Sequence, residues 1–175
     1  QDYLVGYGRS ISIVRAARPG LNAARNKGIA AAQGEIVVFL DDDCRLQRPD
    51  WIDLLDNGFR RHPEAFAIGG GFISQDKAPL FVRCRNRMSN AYALDSRVSG
   101  DEVRSLLGGN TAYRMEVFTR FGIFDEFLLY GATETELNER LTAAGGKLYF
   151  LNELSVIHAI EYRSLHQHCL QAFFQ

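Results

Sequence analysis

Three adjacent carboxylates, Asp41, Asp42 and Asp43, are the residues of this chain best suited to chemistry. They repel one another unless a positive group lies between them. Hard cations such as Mg²⁺ and Mn²⁺ prefer carboxylate oxygens and are commonly shared with substrate phosphates. A divalent metal site is therefore one interpretation of the triplet. A solvated acidic turn, or Asp43 as the cap of a helix, is the other, and the triplet alone does not separate them.

The elements around the triplet predict where it lies in the fold. Directly before it, the apolar run from Ile36 to Leu40 predicts a buried strand. Upstream, Asn22 predicts the cap of an alanine-rich helix over 23–33, which follows a short strand at 11–14. Strand, helix and strand in succession predict a parallel α/β sheet. Ligands bind at the carboxyl ends of the strands in such sheets, which is where the acids lie.

The rest of the chain alternates in the same way. Apolar residues at i, i+3, i+4 and i+8 predict a helix that begins near Pro49. Glycine-bounded apolar runs predict the other strands, and glycine or proline ends the other helices. The further helices are predicted at 80–94, 115–121, 133–144 and 164–174, and the further strands at 65–73, 106–113, 147–151 and 155–158.

Composition excludes several classes of protein. The 175 residues are 46% apolar and 23% charged, which is typical of one globular domain. A net charge of −1 removes the electrostatic case for a nucleic-acid binder. The sequence has no apolar run of membrane-spanning length and no signal peptide. Cys44, Cys84 and Cys169 form no CxxC pair, which favours free thiols in a reducing compartment. The first residue, Gln1, and the apolar last residues predict a piece of a longer protein.

Six short motifs follow one another along the chain in a set order. They are Asn22-x-x-Arg25-Asn26-x-Gly28, Gly34-Glu35-Ile36, Phe39-Leu40-Asp41-Asp42-Asp43, Gly108-Gly109-Asn110, Phe124-Asp125-Glu126 and Thr133-Glu134-Thr135-Glu136-Leu137-x-x-Arg140-Leu141. In this order, from about Pro19 to His158, they resemble a family 2 glycosyltransferase of the GT-A fold. The resemblance implies an α/β fold with a Rossmann-type, mostly parallel sheet flanked by helices. It also implies that the N-terminal strand, helix and strand of the family are missing, so that the chain is a single domain truncated at its front.

The resemblance implies a donor site at the triplet. Asp41 and Asp43 resemble the Asp-x-Asp pair that holds Mn²⁺ or Mg²⁺ against the diphosphate of a nucleotide sugar, with Asp42 between them in the same site. The donor would be a UDP-, GDP- or dTDP-sugar. His158 matches a histidine that completes the metal ligands in some members. Arg25 lies where the family places a residue near the nucleotide, and its fork suits phosphate oxygens.

The resemblance also implies an acceptor side. Glu134 would be the general base that takes the proton of an acceptor hydroxyl during a single displacement, which inverts the anomeric carbon. Its usual acidic neighbour is replaced by Thr133. Gly109, Asn110 and Glu136 would lie on the donor-sugar and acceptor side. The other interpretation of Glu134 and Glu136 is that they only complement the positive end of a helix. The acceptor would be a polysaccharide, a lipid-linked sugar or a small molecule.

Two other functions and one location complete the expectations. A haloacid-dehalogenase-like phosphatase also has Asp-x-Asp after an apolar strand, but it needs Thr or Val where this chain has Arg45. A non-catalytic nucleotide-sugar-binding or scaffolding domain is the second alternative. Cytosolic nucleotide sugars and free thiols favour the cytoplasm. Peripheral association with the inner membrane face could use the predicted helix with Arg83, Arg85 and Arg87, or the apolar tail.

Overall fold

A computed structural model describes residues 12–128 and 133–159. Within these ranges the helices are α1 (Leu21–Ala31), α2 (Trp51–Arg61), α3 (Leu80–Asp95), α4 (Met115–Phe121) and α5 (Thr133–Ala143). The strands are β1 (Ile36–Leu40), β2 (Cys44–Leu46), β3 (Ala65–Gly69), β4 (Phe72–Ile73), β5 (Arg97–Ser99), β6 (Glu102–Val103), β7 (Asn110–Arg114), β8 (Lys147–Phe150) and β9 (Val156–His158). A 3-10 helix at Asn152–Leu154 joins the last two strands.

The strands form two sheets. The central sheet has six strands in the order β1-β7-β3-β8-β6-β5, and the smaller sheet has three in the order β2-β9-β4. In the central sheet only β3 and β8 pair in parallel among the described strands; the other four pairs are antiparallel. In the smaller sheet β9 is antiparallel to β2 and parallel to β4.

The predicted α/β class is confirmed, but the prediction of a mostly parallel sheet is wrong for the described strands. β1, β3 and β8 do share one direction, as the alternation of strands and helices predicted. The difference is β7, which inserts antiparallel between β1 and β3, so that Ala112 lies opposite both Val38 and Ile68. The β5–β6 hairpin then adds further antiparallel pairs at the edge.

Several predicted elements are confirmed and others are shifted. β1 and α4 have the predicted bounds. The helix α1 begins earlier than predicted, with Gly20 at its N-cap at φ 132°, so Asn22 is inside the helix rather than its cap. The strand predicted at 65–73 divides into β3 and β4, and the one predicted at 106–113 begins only at Asn110. Residues 12–14 of the first predicted strand are irregular. The helix predicted at 164–174 and Cys169 lie outside the described residues.

The core lies between the central sheet and the helices and supports the strand that carries the acids. Phe39 of β1 contacts Tyr113 and Phe124 edge to face, with ring centroids 6.0 and 5.4 Å apart. Leu137 and Leu141, the predicted apolar pair of α5, are fully buried. The indole N–H of Trp51 donates to the Leu154 carbonyl at 2.9 Å. Within the described ranges, no helix has the length and apolar character needed to cross a membrane.

Candidate active site

The acids after β1 lie beside the glycines that precede β7. β1 and β7 are antiparallel neighbours with Leu40 opposite Asn110, so the end of one strand meets the start of the other. The Asp41 N–H donates to the Gly109 carbonyl at 3.2 Å. A Cβ at Gly109 would overlap the Asp41 carboxylate. Glycine is therefore required here because the carboxylate occupies the space of a side chain.

Arg25, from α1, connects this edge to the start of α5. Its Nη2 lies 4.0 Å from Asp41 Oδ1, and its Nη1 lies 3.6 Å from Glu134 Oε2. The side chain is only 8% exposed. Its guanidinium lies 5.9 and 5.3 Å from the ring centroids of Phe39 and Phe124. One buried cation thus holds the first acid of the triplet and the candidate base at the same site.

Thr133 fixes the orientation of Glu134. The Thr133 hydroxyl accepts a hydrogen bond from Arg25 Nη1 at 3.0 Å and donates one to Glu134 Oε2 at 2.7 Å. Thr133 is buried, whereas the Glu134 side chain is 30% exposed. A Cβ at Gly108 would lie 2.6 Å from Glu134 Oε2. Thr133 was not among the predicted site residues. The sequence feature that could have indicated it is its position directly before Glu134 at the start of a predicted helix.

The charges of the site favour a bound cation. Burial raises the pKa of Asp41 above its usual value, although Arg25 opposes this; the nearby Asp43 and Glu134 raise it further. Asp43 and Glu134 are thus further negative charges near Asp41, opposed by Arg25 and, on the His158 side, by Arg85. His158 is neutral more readily than usual because burial lowers its pKa, while Asp43 opposes that shift. A neutral imidazole is the form that binds metals.

Asp43 and His158 meet at the junction of β2 and β9. His158 Nε2 lies 3.2 Å from Asp43 Oδ1, and Cys44, which lies opposite His158 in the sheet, brings a third candidate ligand atom within 4.8 Å of both. The other ring nitrogen, Nδ1, lies 3.0 Å from Asn86 Oδ1. The Phe72 ring stacks on the imidazole with centroids 4.3 Å apart. Asn86 and Phe72 were not predicted from the sequence.

The donor atoms present fit a hard divalent cation. Two adjacent ligands of an octahedral ion, each about 2.1 Å from it, lie about 3.0 Å apart, close to the separation of the Asp43 and His158 atoms. Cys44 suits such an ion poorly, since burial and the neighbouring acids raise the pKa of its thiol to about 12. The thiol instead lies 3.6 Å from the Gly109 carbonyl. Asp41 interacts electrostatically with both Asp43 and His158 and is therefore a further candidate ligand for the same cation.

Three other predicted residues have different surroundings. Asp42 is exposed in the turn after β1. Asn110 is buried, and its Nδ2 donates to the carbonyls of Gly71 at 3.2 Å and Leu154 at 3.0 Å. Glu136 pairs with Arg140 one turn later, at 2.7 Å. The contacts of Asn110 and Glu136 are therefore with the protein's own backbone and helix.

The first motif of the chain positions the segment that leads to α5. Asn22 Nδ2 donates to the Asp125 carbonyl at 2.7 Å, and Asn26 Nδ2 donates to the Phe124 carbonyl at 2.9 Å. Asn26 Oδ1 accepts from the Phe124 N–H at 3.0 Å. The buried face of α1 is thus polar because it binds the backbone of a turn. That turn explains why the first and fifth motifs occur together.

Known proteins of similar sequence are glycosyltransferases. A glucosyl-dolichyl phosphate glucuronosyltransferase from Haloferax volcanii is 29% identical over 109 residues, which are 61% of this chain and 34% of that protein. A polypeptide N-acetylgalactosaminyltransferase 5 from Caenorhabditis elegans is 23% identical over an alignment that covers 94% of this chain and 29% of that protein. The chain therefore spans about a third of the length of these curated relatives.

Solved structures share the fold. A mannosyltransferase from Pyrobaculum calidifontis, in complex with GDP-Man and Mn²⁺, superposes with a TM-score of 0.63 at 19% identity, covering 90% of this chain and 45% of that one. A glucosyl-3-phosphoglycerate synthase from Mycobacterium tuberculosis, in complex with Mn²⁺, UDP-glucose and glycerol 3-phosphate, gives a TM-score of 0.52 at 19% identity, covering 87% of this chain and 50% of that one. Both are GT-A fold enzymes.

The family model described as "Glycosyl transferase family 2" matches residues 1–122, which include α1, the acidic triplet and the Gly108-Gly109-Asn110 motif. This match favours the glycosyltransferase interpretation over the phosphatase one. With the motifs brought together around Arg25 and the fold shared with GT-A enzymes, it shows that the chain belongs to glycosyl transferase family 2.

Proposed function

We propose that this chain carries the metal site and the catalytic base of an inverting glycosyltransferase, which moves a sugar from a nucleotide-sugar donor to a hydroxyl acceptor. The observation that carries the proposal is the position of Arg25 between Asp41 and Glu134, at 4.0 and 3.6 Å. It links the proposed donor and acceptor sides across one site. The solved relatives that contain GDP-Man or UDP-glucose with Mn²⁺ support a donor of this class.

Glu134 is the proposed general base. Its carboxylate is partly exposed, and one oxygen is fixed by the Thr133 hydroxyl at 2.7 Å. In a single displacement the acceptor oxygen attacks the anomeric carbon, the bond from that carbon to the diphosphate oxygen breaks, and the acceptor proton passes to Glu134. Attack from the face opposite the leaving diphosphate inverts the anomeric carbon. Arg25 Nη1 lies 3.6 Å from Glu134 Oε2 and places a positive charge beside the proposed base.

Asp43 and His158, with Asp41, are the residues proposed to hold Mn²⁺ or Mg²⁺. When bound, such an ion supplies Lewis-acid stabilisation of the charge that develops on the leaving diphosphate. Asp42 and Gly109 would border the donor, because Asp42 is exposed beside both acids and Gly109 lies against Asp41. Arg25 is proposed to contribute positive potential to the nucleotide phosphates.

Thermal unfolding with nucleotides tests the donor site. The chain is heated with Mn²⁺ or Mg²⁺ plus UDP, GDP or dTDP, and the series is repeated with EDTA and with Asp43→Ala. A nucleotide at about a hundred times its dissociation constant stabilises a fold by about 2.7 kcal/mol. Stabilisation by one nucleotide, only with metal and only with Asp43, is expected and names the donor class. Equal stabilisation with EDTA would contradict the metal site.

Transfer from the matching nucleotide sugar tests the base. Glu134→Gln keeps the size of the side chain and removes its basicity, so turnover is expected to fall at least a hundredfold while nucleotide stabilisation persists. Unchanged turnover would exclude Glu134 as the base. Nucleotide binding with no turnover by either the unmodified chain or a longer form of the protein would favour the non-catalytic binding domain.

The acceptor and the location are proposed from the surface of α3. Leu80 and Met88 are 71% and 72% exposed, and Arg83 and Arg87 are exposed beside them. An apolar stripe with flanking arginines suits the cytoplasmic surface of an anionic membrane, where a lipid-linked sugar acceptor would be reached. Pelleting with vesicles that contain anionic lipid is expected for the protein and reduced for Met88→Asp. Equal recovery in the supernatant with and without vesicles would remove the membrane proposal.

A further inference from the structure

A cleft of about 700 Å³ lies on a side of α5 that the proposed chemistry does not use. One wall is α5, whose Thr135, Glu139 and Thr142 follow one another at i, i+4 and i+7 on one helical face. The rest of the lining comes from the end of α3, with Tyr92 and Asp95, and from the segment after β6, with Arg104 and Ser105. Thr135 directly follows Glu134, so the cleft begins at the turn of α5 that carries the proposed base.

Some polar side chains of this cleft have no partner in the described part of the chain, whereas Ser96 and Thr142 hydrogen-bond to nearby backbone groups. Within residues 12–128 and 133–159, the side chains of Asp95, Arg104 and Glu139 form none of the ion pairs found. Ser105 is buried, with only 6% of its surface exposed. Its hydroxyl nevertheless has no hydrogen-bond partner in the described part of the chain. A buried hydroxyl without a partner costs about 1–3 kcal/mol, so a ligand that reaches it gains a favourable bond.

The chemistry of the lining selects the class of ligand. Two carboxylates against one guanidinium make the cleft negative overall, which disfavours phosphates and other anions. Carboxylate oxygens accept hydrogen bonds, the guanidinium donates them and a serine hydroxyl does both, which is the set that neighbouring sugar hydroxyls require. Tyr92 lines the cleft, is 53% exposed and can offer an aromatic face to the apolar C–H side of a sugar ring.

We propose that this cleft binds a saccharide, and that the acceptor of the reaction is therefore an existing sugar chain whose terminal hydroxyl reaches Glu134. The identity of the acceptor rests on the proposed function, whereas the binding of a saccharide in the cleft does not. A volume of about 700 Å³ is within the usual range for small-molecule sites and admits two or three sugar rings. The cleft would bind the sugar units that precede the reacting sugar and would position the terminal hydroxyl of the saccharide near Glu134.

Binding is tested without donor and without metal, so that its failure is separate from a failure of transfer. The ¹⁵N-labelled protein is titrated with gluco-, manno-, galacto- and N-acetylglucosamine trisaccharides, and amide shifts are followed by NMR. Saturable shifts confined to the residues around Tyr92, Ser105 and Glu139 are expected with at least one of the four. No saturable shift with any of them, or shifts centred elsewhere, would overturn the proposal.

Two variants and a matched control show which groups bind. Tyr92→Ala and Glu139→Gln should each weaken the binding of that trisaccharide about five- to tenfold. Met88→Ala changes an exposed residue one turn away on the same helix, outside the cleft, and should leave the affinity unchanged. A loss in Met88→Ala equal to that in Tyr92→Ala would indicate a general effect of α3 and contradict the assignment.

Ser105→Ala separates a ligand contact from a packing role. The substitution removes a buried hydroxyl without a described partner, so thermal stability should stay the same or rise. The affinity for the trisaccharide should nevertheless fall about fivefold. Unchanged affinity together with higher stability would show that the hydroxyl is only a packing defect, and this would overturn its role in the site.

Discussion

Thr133 Oγ1 lies 2.7 Å from Glu134 Oε2 and 3.0 Å from Arg25 Nη1, so one buried hydroxyl joins the proposed base to the buried cation. A guanidinium can only donate hydrogen bonds, and the hydroxyl has a single proton. The Thr133 proton is therefore directed at Glu134. An acidic residue at this position would add a negative charge beside the base, whereas threonine adds a neutral donor. The substitution of the family's usual acid thus keeps an orienting contact at Glu134.

Removing this hydroxyl tests its positioning role. Thr133→Val keeps the shape of the side chain but loses both hydrogen bonds, so kcat is expected to fall about tenfold, as for the loss of one hydrogen bond to a charged group. The KM for the nucleotide sugar should change less than kcat, because Thr133 contacts the base directly and the proposed donor side only through Arg25. Steady-state kinetics measure both, and Thr133→Ser should restore kcat. A loss of stability with unchanged kcat would show a purely structural role.

Arg25 is the second test, because it neutralises two carboxylates at once. Arg25→Met keeps an apolar side chain of similar length between Phe39 and Phe124 but removes the charge. The variant is expected to lose roughly 2–3 kcal/mol of unfolding free energy at neutral pH, less than for a fully buried pair because Asp41 and Glu134 are partly exposed. Urea unfolding measures this loss. The exposed pair Arg60–Asp56 supplies the control, since Arg60→Met should cost less than about 1 kcal/mol.

The pH dependence of the Arg25→Met variant has a defined sign. Burial already raises the pKa of Asp41 above 3.8, and Arg25 opposes that shift, so its removal raises the pKa further. A carboxyl with a raised folded-state pKa contributes stability that is fully present below its unfolded pKa and is lost as the pH rises through the folded value. The deficit of the variant should therefore shrink as the pH falls from 7 toward 4. A deficit that stays constant over this range would contradict the electrostatic explanation.

The sequence predicted the elements that depend on local patterns and missed those that depend on distant contacts. β1 with its acids and α4 were predicted because an apolar run, or an apolar face ended by glycine, specifies each locally. The cap at Asn22 was predicted wrongly because its side chain binds the backbone of Asp125, far along the chain. The antiparallel pairing of β7 with β1 also depends on tertiary contacts, because the local hydrophobic pattern of a strand does not specify the direction of its neighbour.

The site shows the same division. Asp41, Asp43 and Glu134 of the candidate site were predicted because the family motifs contain them, and His158 because it matches a histidine of some members. The contacts that orient them could not, since Asn86 reaches His158 from α3 and Arg25 reaches Thr133 across more than a hundred residues. Neither Asn86 nor Thr133 belongs to a residue type that signals chemistry by itself. Their roles follow only from the distances.

The glycine beside Asp41 gives a third test. Gly109→Ala would place a methyl group on the Asp41 carboxylate, which must then move away from the proposed metal site. The metal-dependent stabilisation by nucleotide is expected to fall at least tenfold in apparent affinity, measured by thermal unfolding at several nucleotide concentrations. Gly28→Ala is the matched control, because nothing lies within 4 Å of its Cβ position in α1. It should stabilise the fold by about 0.5–1 kcal/mol and leave nucleotide binding intact.

Asn86 gives the fourth test, through the orientation of His158. Asn86 Nδ2 donates to Ser74 Oγ at 3.0 Å, which leaves Oδ1 to accept from His158 Nδ1. With its proton on Nδ1, the imidazole presents an unprotonated Nε2 on the Asp43 side. Asn86→Ala removes this contact, and the affinity for Mn²⁺ is expected to fall about 10- to 100-fold, as for other residues that orient a ligating histidine. Titration with Mn²⁺ followed by EPR measures the affinity directly.

Asn90, one turn later on α3, is the matched control for this measurement. Its side chain accepts from the Phe72 N–H at 2.8 Å and donates to the Phe72 carbonyl at 3.0 Å, and it has no described contact with His158. Asn90→Ala should therefore cost about 1–2 kcal/mol of stability through the two lost hydrogen bonds while leaving Mn²⁺ affinity within about twofold. Equal loss of Mn²⁺ affinity in both variants would mean that Asn86 acts through the packing of α3 and of Phe72, whose ring stacks on the imidazole, rather than through its own contact with His158.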